Sequence, residues 1–107
     1  MKKSKNINND VLIEKMRNGD EAIITSCVFS ETPIIALNSI MFGTINGVMN
    51  KDFISEVEKL TDSDVTFLGN PLSAFAIAAL HILDIKKYTG NDEFIINLIN
   101  SKMEFVR

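Results

Sequence analysis

A chain of 107 residues has the length of one domain, so a second independent core is not expected. With 46% hydrophobic residues and a net charge of −3, it has the apolar surface to fold unaided and lacks the charge excess of a disordered chain. That mild acidity disfavours nucleic acid and anionic lipid as partners, and the lone cysteine, Cys27, excludes an intramolecular disulfide and fits a cytoplasmic location.

Residues 1–8 are polar and basic, with Lys2, Lys3 and Lys5, and are expected to form a mobile tail ahead of one domain over 9–107. The opening resembles the n-region of a signal peptide, but Asn8, Asn9 and Asp10 stand where an apolar run would follow. Asn9 is expected to cap a first helix carrying Val11, Leu12 and Met16, with Asn18-Gly19 ending it. Residues 22–29 contain strand formers, Ile23, Ile24, Thr25 and Val28. No other segment offers a strand pattern to pair with them, so a helix is the expected way to satisfy their backbone.

Thr32-Pro33 places a capping oxygen before a proline at the first helical position, and Ile34, Leu37, Ile40, Met41 and Ile45 follow at helical spacing until Gly47. A shorter helix is expected from about Lys51, with Phe53, Ile54, Val57 and Leu60 on one side. Residues 61–69 make a long connection whose Val65, Phe67 and Leu68 are expected to fold down over the core. Asn70-Pro71 repeats the Thr32-Pro33 start signal, for a helix reaching about Tyr88 before Thr89-Gly90. Residues 71–83 are the least polar stretch, but Ser73 and His81 interrupt them. At roughly 1.5 Å per residue they fall short of a ~30 Å hydrocarbon core, so no membrane span is expected. A last helix over 93–99 carries Phe94, Ile95, Leu98 and Ile99.

These signals recur. Pro33 and Pro71 lie 38 residues apart, and Asp10-Val11-Leu12, Asp52-Phe53-Ile54 and Glu93-Phe94-Ile95 open helices at intervals of 42 and 41. A period near 40 with two helices per unit resembles HEAT or armadillo-type repeats, from about residue 9 to 100. The resemblance implies an all-α fold, a short right-handed α-α superhelix of HEAT-like helical hairpins with five to six helices. An irregular bundle of five or six helices is the alternative.

The residues that do chemistry are sparse. With one histidine and one cysteine, a zinc site lacks ligands. Asp62-Ser63-Asp64 opens like a calcium loop, but Phe67 and Ser73 stand where the glycine and the bidentate glutamate belong. His81 and Asp84 are three apart on one helix face, yet no nucleophile is placed by sequence to use them. Cys27 among Ile24, Val28 and Phe29 reads as a buried thiol. No basic residue lies between Arg17 and Lys51, which argues against a helix-turn-helix over 22–38, since phosphate neutralisation supplies most of such affinity. No catalytic residue, metal ligand or cofactor site is therefore assigned, and no enzyme activity is expected.

What remains is surface. On the Pro71 helix, Ser73, Ile77, His81, Asp84 and Tyr88 fall within one arc of about 80° at 100° per residue. Shifted by the 38-residue repeat, that stripe maps onto Ile35, Ser39, Gly43 and Asn46, with Phe42 beside them. Small polar residues mixed with aliphatic and aromatic anchors, and no lysine, describe an interface core, so Ile35, Ser39, Phe42, Asn46, Ser73, Ile77, His81, Asp84 and Tyr88 are the expected partner-binding residues. The competing reading is ordinary packing against neighbouring helices. The chain looks like small helical-repeat proteins that neutralise a cognate toxin. That likeness implies a non-catalytic protein-binding module of the inhibitor or immunity type, with a structural or adaptor subunit as the alternative. Self-association is left open.

Overall fold

The computed structural model, which describes residues 8–104, is all-α, with six helices and one pair of two-residue strands. Residues 1–7, the bulk of the expected basic tail, lie outside the described residues. The helices are α1 (Asn9–Arg17), α2 (Glu21–Cys27), α3 (Pro33–Ile45), α4 (Lys51–Leu60), α5 (Leu72–Ile82) and α6 (Glu93–Ser101). Residues 22–29 are thus mostly helical despite their strand formers, because α2 packs its Ile24 and Cys27 into a core that no sheet supplies. No helix among the described residues is long and apolar enough to cross a membrane.

Four helices begin on a short polar side chain that accepts an otherwise orphaned backbone N–H. Asn8, one residue earlier than expected, accepts from Asp10 and Val11 at 2.7 and 3.2 Å. Asp20 accepts from Ile23, Asn50 from Phe53 and Asp92 from Phe94. Asn50 does more. Its amide donates to Glu21 Oε2 at 2.9 Å and Thr25 Oγ1 at 2.8 Å, so the residue that starts α4 also pins it to α2. At the two proline starts the expected caps are absent. Thr32 makes no side-chain cap bond, and Pro71 occupies the cap position of α5 itself.

The core is centred on α3 and α5. Helices α1, α2 and α5 pack on α3, while α4 and α6 pack on α5. Residues 35–44 of α3 are all buried, because a helix covered by neighbours on several sides has no solvent face left. The same crowding makes Gly43 indispensable. A Cβ there would meet the Phe53 ring, its Cε1 2.7 Å away, and Ile24 Cγ2 at 3.1 Å. Ala76 on α5 is fully buried, as the helical wheel anticipated. Ala76→Leu is expected to cost about 1–3 kcal/mol through overpacking, and an unchanged melting temperature would show that α5 is rotated from this orientation.

Two expectations about helix length and loops are corrected. Helix α5 stops at Ile82 and not near Tyr88, because Asp84 adopts φ +65° and turns the chain, with Ile85 N–H donating to Leu80 O at 2.8 Å. Aspartate tolerates that left-handed region better than most residues, so no glycine was needed to mark the stop. Residues 61–69 do not fold wholly onto the core. Thr66–Phe67 (β1) pairs antiparallel with Asn70–Pro71 (β2), Phe67 is half-buried, and Val65 and Leu68 are exposed. Leu68 at φ +51° and Gly69 at φ +80° form the connecting turn, of the type with both central residues left-handed. A leucine there costs roughly 1–2 kcal/mol relative to ordinary helical or extended backbone.

Candidate functional site

The α3 half of the expected binding stripe is not a surface. Ile35, Ser39 and Phe42 are 3%, 0% and 2% exposed, on a helix packed by α1, α2 and α5. Ser39 Oγ donates to Ile24 O at 2.6 Å, so its hydroxyl serves the α2–α3 contact. The Arg17 guanidinium lies 5.5 Å from the centroid of the Phe42 ring, a cation–π contact that closes the outer edge of that packing. Only Asn46 of the four reaches solvent, and its Nδ2 donates to Phe42 O at 2.8 Å, tying down the last turn of α3. The helical wheel located this face correctly but could not tell a neighbouring helix from water.

The α5 half survives in part. Ser73, Ile77 and His81 are half-buried along one side of the helix. Tyr88 reaches the same place by another route, since it sits beyond the end of α5. Asp84 reverses the chain, and the Tyr88 N–H donates to His81 Nδ1 at 2.9 Å, which requires the Nε2–H tautomer. The Tyr88 phenol oxygen accepts the Asp92 N–H at 3.0 Å, linking the loop to the start of α6. Gly90 is needed beneath that ring, because a Cβ would run into the phenol oxygen. His81 and Asp84 do not form the pair their spacing allowed. The imidazole is engaged by Tyr88, and the exposed Asp84 carboxylate meets Lys87 Nζ at 3.2 Å.

Together these elements wall a cavity of about 490 Å³ between the end of α4, the middle of α5 and the loop over 86–90. Ile77, Leu80 and Tyr88 give it apolar lining. Glu58 and Asp62 bring negative charge, Lys86 and Lys87 positive charge, and Thr61 and Thr89 hydroxyls. The lining is of mixed polarity, three large apolar side chains among charged and hydroxyl-bearing ones. Of the expected partner-binding residues it unites only Ile77 and Tyr88. Glu58 and Asp62 belong to the acidic edge with Glu56 and Asp64 that the sequence offers as a second candidate surface, whereas Lys86 and Lys87 were missed, because nothing in the spacing of a sequence shows that a loop folds back against a helix.

A second, shallower groove between α2 and the start of α4 is lined by Glu21, Thr25, Phe29, Asn50 and Asp52. Phe29 there is 53% exposed. Cys27 is buried, and that burial pushes its thiol pKa up, away from reactivity. Among the described residues no three His, Cys, Asp or Glu side chains gather where they could hold one metal ion. No protein-family model, curated protein or solved structure matches this chain. The class defined by fold and site is thus an all-α domain with a cavity of mixed polarity beside α5.

Proposed function

We propose that this chain is a cytoplasmic, non-catalytic protein-binding module of the inhibitor or immunity type, which occludes a partner protein by docking it on the α4–α5 cavity. The observation that carries the reading is the cavity itself. An aliphatic and aromatic lining rimmed by charges of both signs suits an inserted apolar side chain flanked by polar contacts, the composition of a hot spot within its rim. A structural or adaptor subunit is the second reading. It is favoured by the separate groove at Phe29, since an adaptor needs two surfaces.

Co-purification from the native host with mass spectrometry tests the proposal, and one stoichiometric partner of about this size class or larger is the expected result. Against that partner, Ile77→Ser is expected to cost about 1–3 kcal/mol of binding, the range of moderate hot spots. Lys86→Ala, at an exposed position, should weaken binding less while holding stability within about 0.5 kcal/mol. Tyr88→Ala is a poorer probe than its exposure on a helix would have made it, because the phenol holds the loop. Titration calorimetry beside thermal melts separates the effects. If folded Ile77→Ser and Lys86→Ala both bind as tightly as wild type, the cavity is not the docking site.

A further inference from the structure

The loop that closes the cavity is tied to α5 through an acceptor that titrates. His81 lies in the last turn of α5, and its Nδ1 accepts the Tyr88 N–H at 2.9 Å. The Tyr88 phenol oxygen accepts the Asp92 N–H in turn, so the bond to the imidazole anchors a loop that is itself joined to the start of α6. Residues 86–90 of that loop all line the cavity. The anchor holds only while Nδ1 keeps its lone pair. Once protonated, Nδ1 is a donor facing another donor at hydrogen-bond distance, and attraction gives way to repulsion.

Histidine is the side chain whose charge changes between pH 5 and 8, and His81 is the one histidine of the chain. Helix α5 carries no other charged side chain. Those around its end come from three elements. Glu58 and Asp62 reach the cavity from α4 and the residues after it, Asp84, Lys86 and Lys87 belong to the loop, and Asp92 and Glu93 stand at the start of α6. Asp84, the acid nearest in sequence, meets Lys87 and leaves the imidazole to Tyr88. The last turn of α5 accommodates an added positive charge, since the carbonyls at a helix C-terminus attract cations, so what gives way is the loop. We propose that His81 is a pH switch for the cavity: the neutral imidazole holds the loop over 86–90 against α5, and protonation at Nδ1 releases Tyr88 and opens the wall. The closed loop is therefore favoured on the alkaline side of the imidazole range and lost as the pH falls through it. The consequence for a partner, weaker docking at acid pH, rests on the protein-binding reading. The switch itself does not.

One histidine, one tyrosine and no tryptophan mean that both halves of the switch give unmixed signals. Nuclear magnetic resonance on the 15N-labelled full chain, titrated from about pH 8 to about pH 5, tests it. At the upper end the imidazole is expected as the Nε2–H tautomer. The Tyr88 amide shift and the tyrosine fluorescence should then follow imidazole protonation with one midpoint, while far-ultraviolet circular dichroism stays constant. Protection of the Tyr88 amide from exchange should fall on the order of tenfold. His81→Asn offers Oδ1 near the place of Nδ1 and does not titrate, so Tyr88 should stay closed across the range. His81→Leu has no acceptor and should show the open state throughout. An Nδ1–H tautomer in the wild type overturns the proposal, as do Tyr88 signals that ignore the imidazole or a pH response that survives His81→Asn. Loss of helix over the same range overturns it too, because the release would then be unfolding. Should His81→Asn fail to fold, the tautomer and the shared midpoint in the wild type decide. No partner protein enters the assay, so its failure is distinct from failure of the protein-binding reading.

Discussion

Phe53→Ala is expected to lower the free energy of unfolding by about 3–5 kcal/mol, much of the 5–15 kcal/mol available to a domain. The ring is fully buried on the inner face of α4, against Gly43 of α3. Removing it forfeits the transfer energy of the ring and leaves a void where α2, α3 and α4 meet. The backbone cannot readily collapse into that void, because Asn50 holds the start of α4 to Glu21 and Thr25. Urea unfolding should show a lower midpoint at unchanged slope. The effect reaches the cavity too, since Glu58, Thr61 and Asp62 sit at the far end of α4. A loss under about 1 kcal/mol would mean that the ring is not the keystone of this junction.

Gly43→Val is expected to cost at least about 3 kcal/mol, the upper end of overpacking penalties. The position is helical, so replacing glycine would by itself stabilise α3, by about 1 kcal/mol for alanine and a few tenths for the β-branched valine. Space decides the sign. Even a single Cβ collides with the Phe53 ring, and Ile24 blocks the other side at 3.1 Å. Valine adds two further methyl groups to that collision, whereas Gly43→Ala should fall between wild type and valine. The two sites are in contact, so their effects should not add. Combining Gly43→Ala with Phe53→Leu is expected to destabilise by less than the sum of the single changes, measured as a double-mutant cycle from urea midpoints. Strict additivity would show that the ring and Gly43 do not meet.

Much of the helical framework was legible along the chain because it is written in local chemistry. The stop at Asn18-Gly19, the proline at the start of α3, Gly47 after it, and the apolar side of α4 are each decided within a few residues. Gly47 at φ +69°, with Val48 N–H donating to Gly43 O at 2.9 Å, shows the kind of signal that needs no tertiary partner. Where a local signal has rivals, the end of a helix is not legible in the sequence. Asp84 ended α5 six residues before Gly90, and aspartate marks a left-handed stop much less clearly than glycine does.

The candidate site was legible only in fragments. Ile77 and Tyr88 were singled out as members of one helical stripe, yet Tyr88 is in a loop that a bond to His81 folds back against α5. Ile35, Ser39 and Phe42 had the composition of an interface because they are one, but what covers them is the rest of the same chain. Periodicity reports that a face is apolar and uncharged. It carries no information on whether the covering surface comes from the same molecule.

By itself, then, the sequence determined the all-α class, the approximate start of each helix and the apolar side of α4. Capping, turn preference and hydrophobic spacing act over one to four residues and so are readable in order along the chain. The tertiary structure alone decided which faces meet, that Leu68 is displayed and not folded down, and that Lys86, Lys87 and Tyr88 close a cavity over Ile77. Those outcomes depend on contacts between residues distant in sequence, where burial and sterics in three dimensions outweigh local preference.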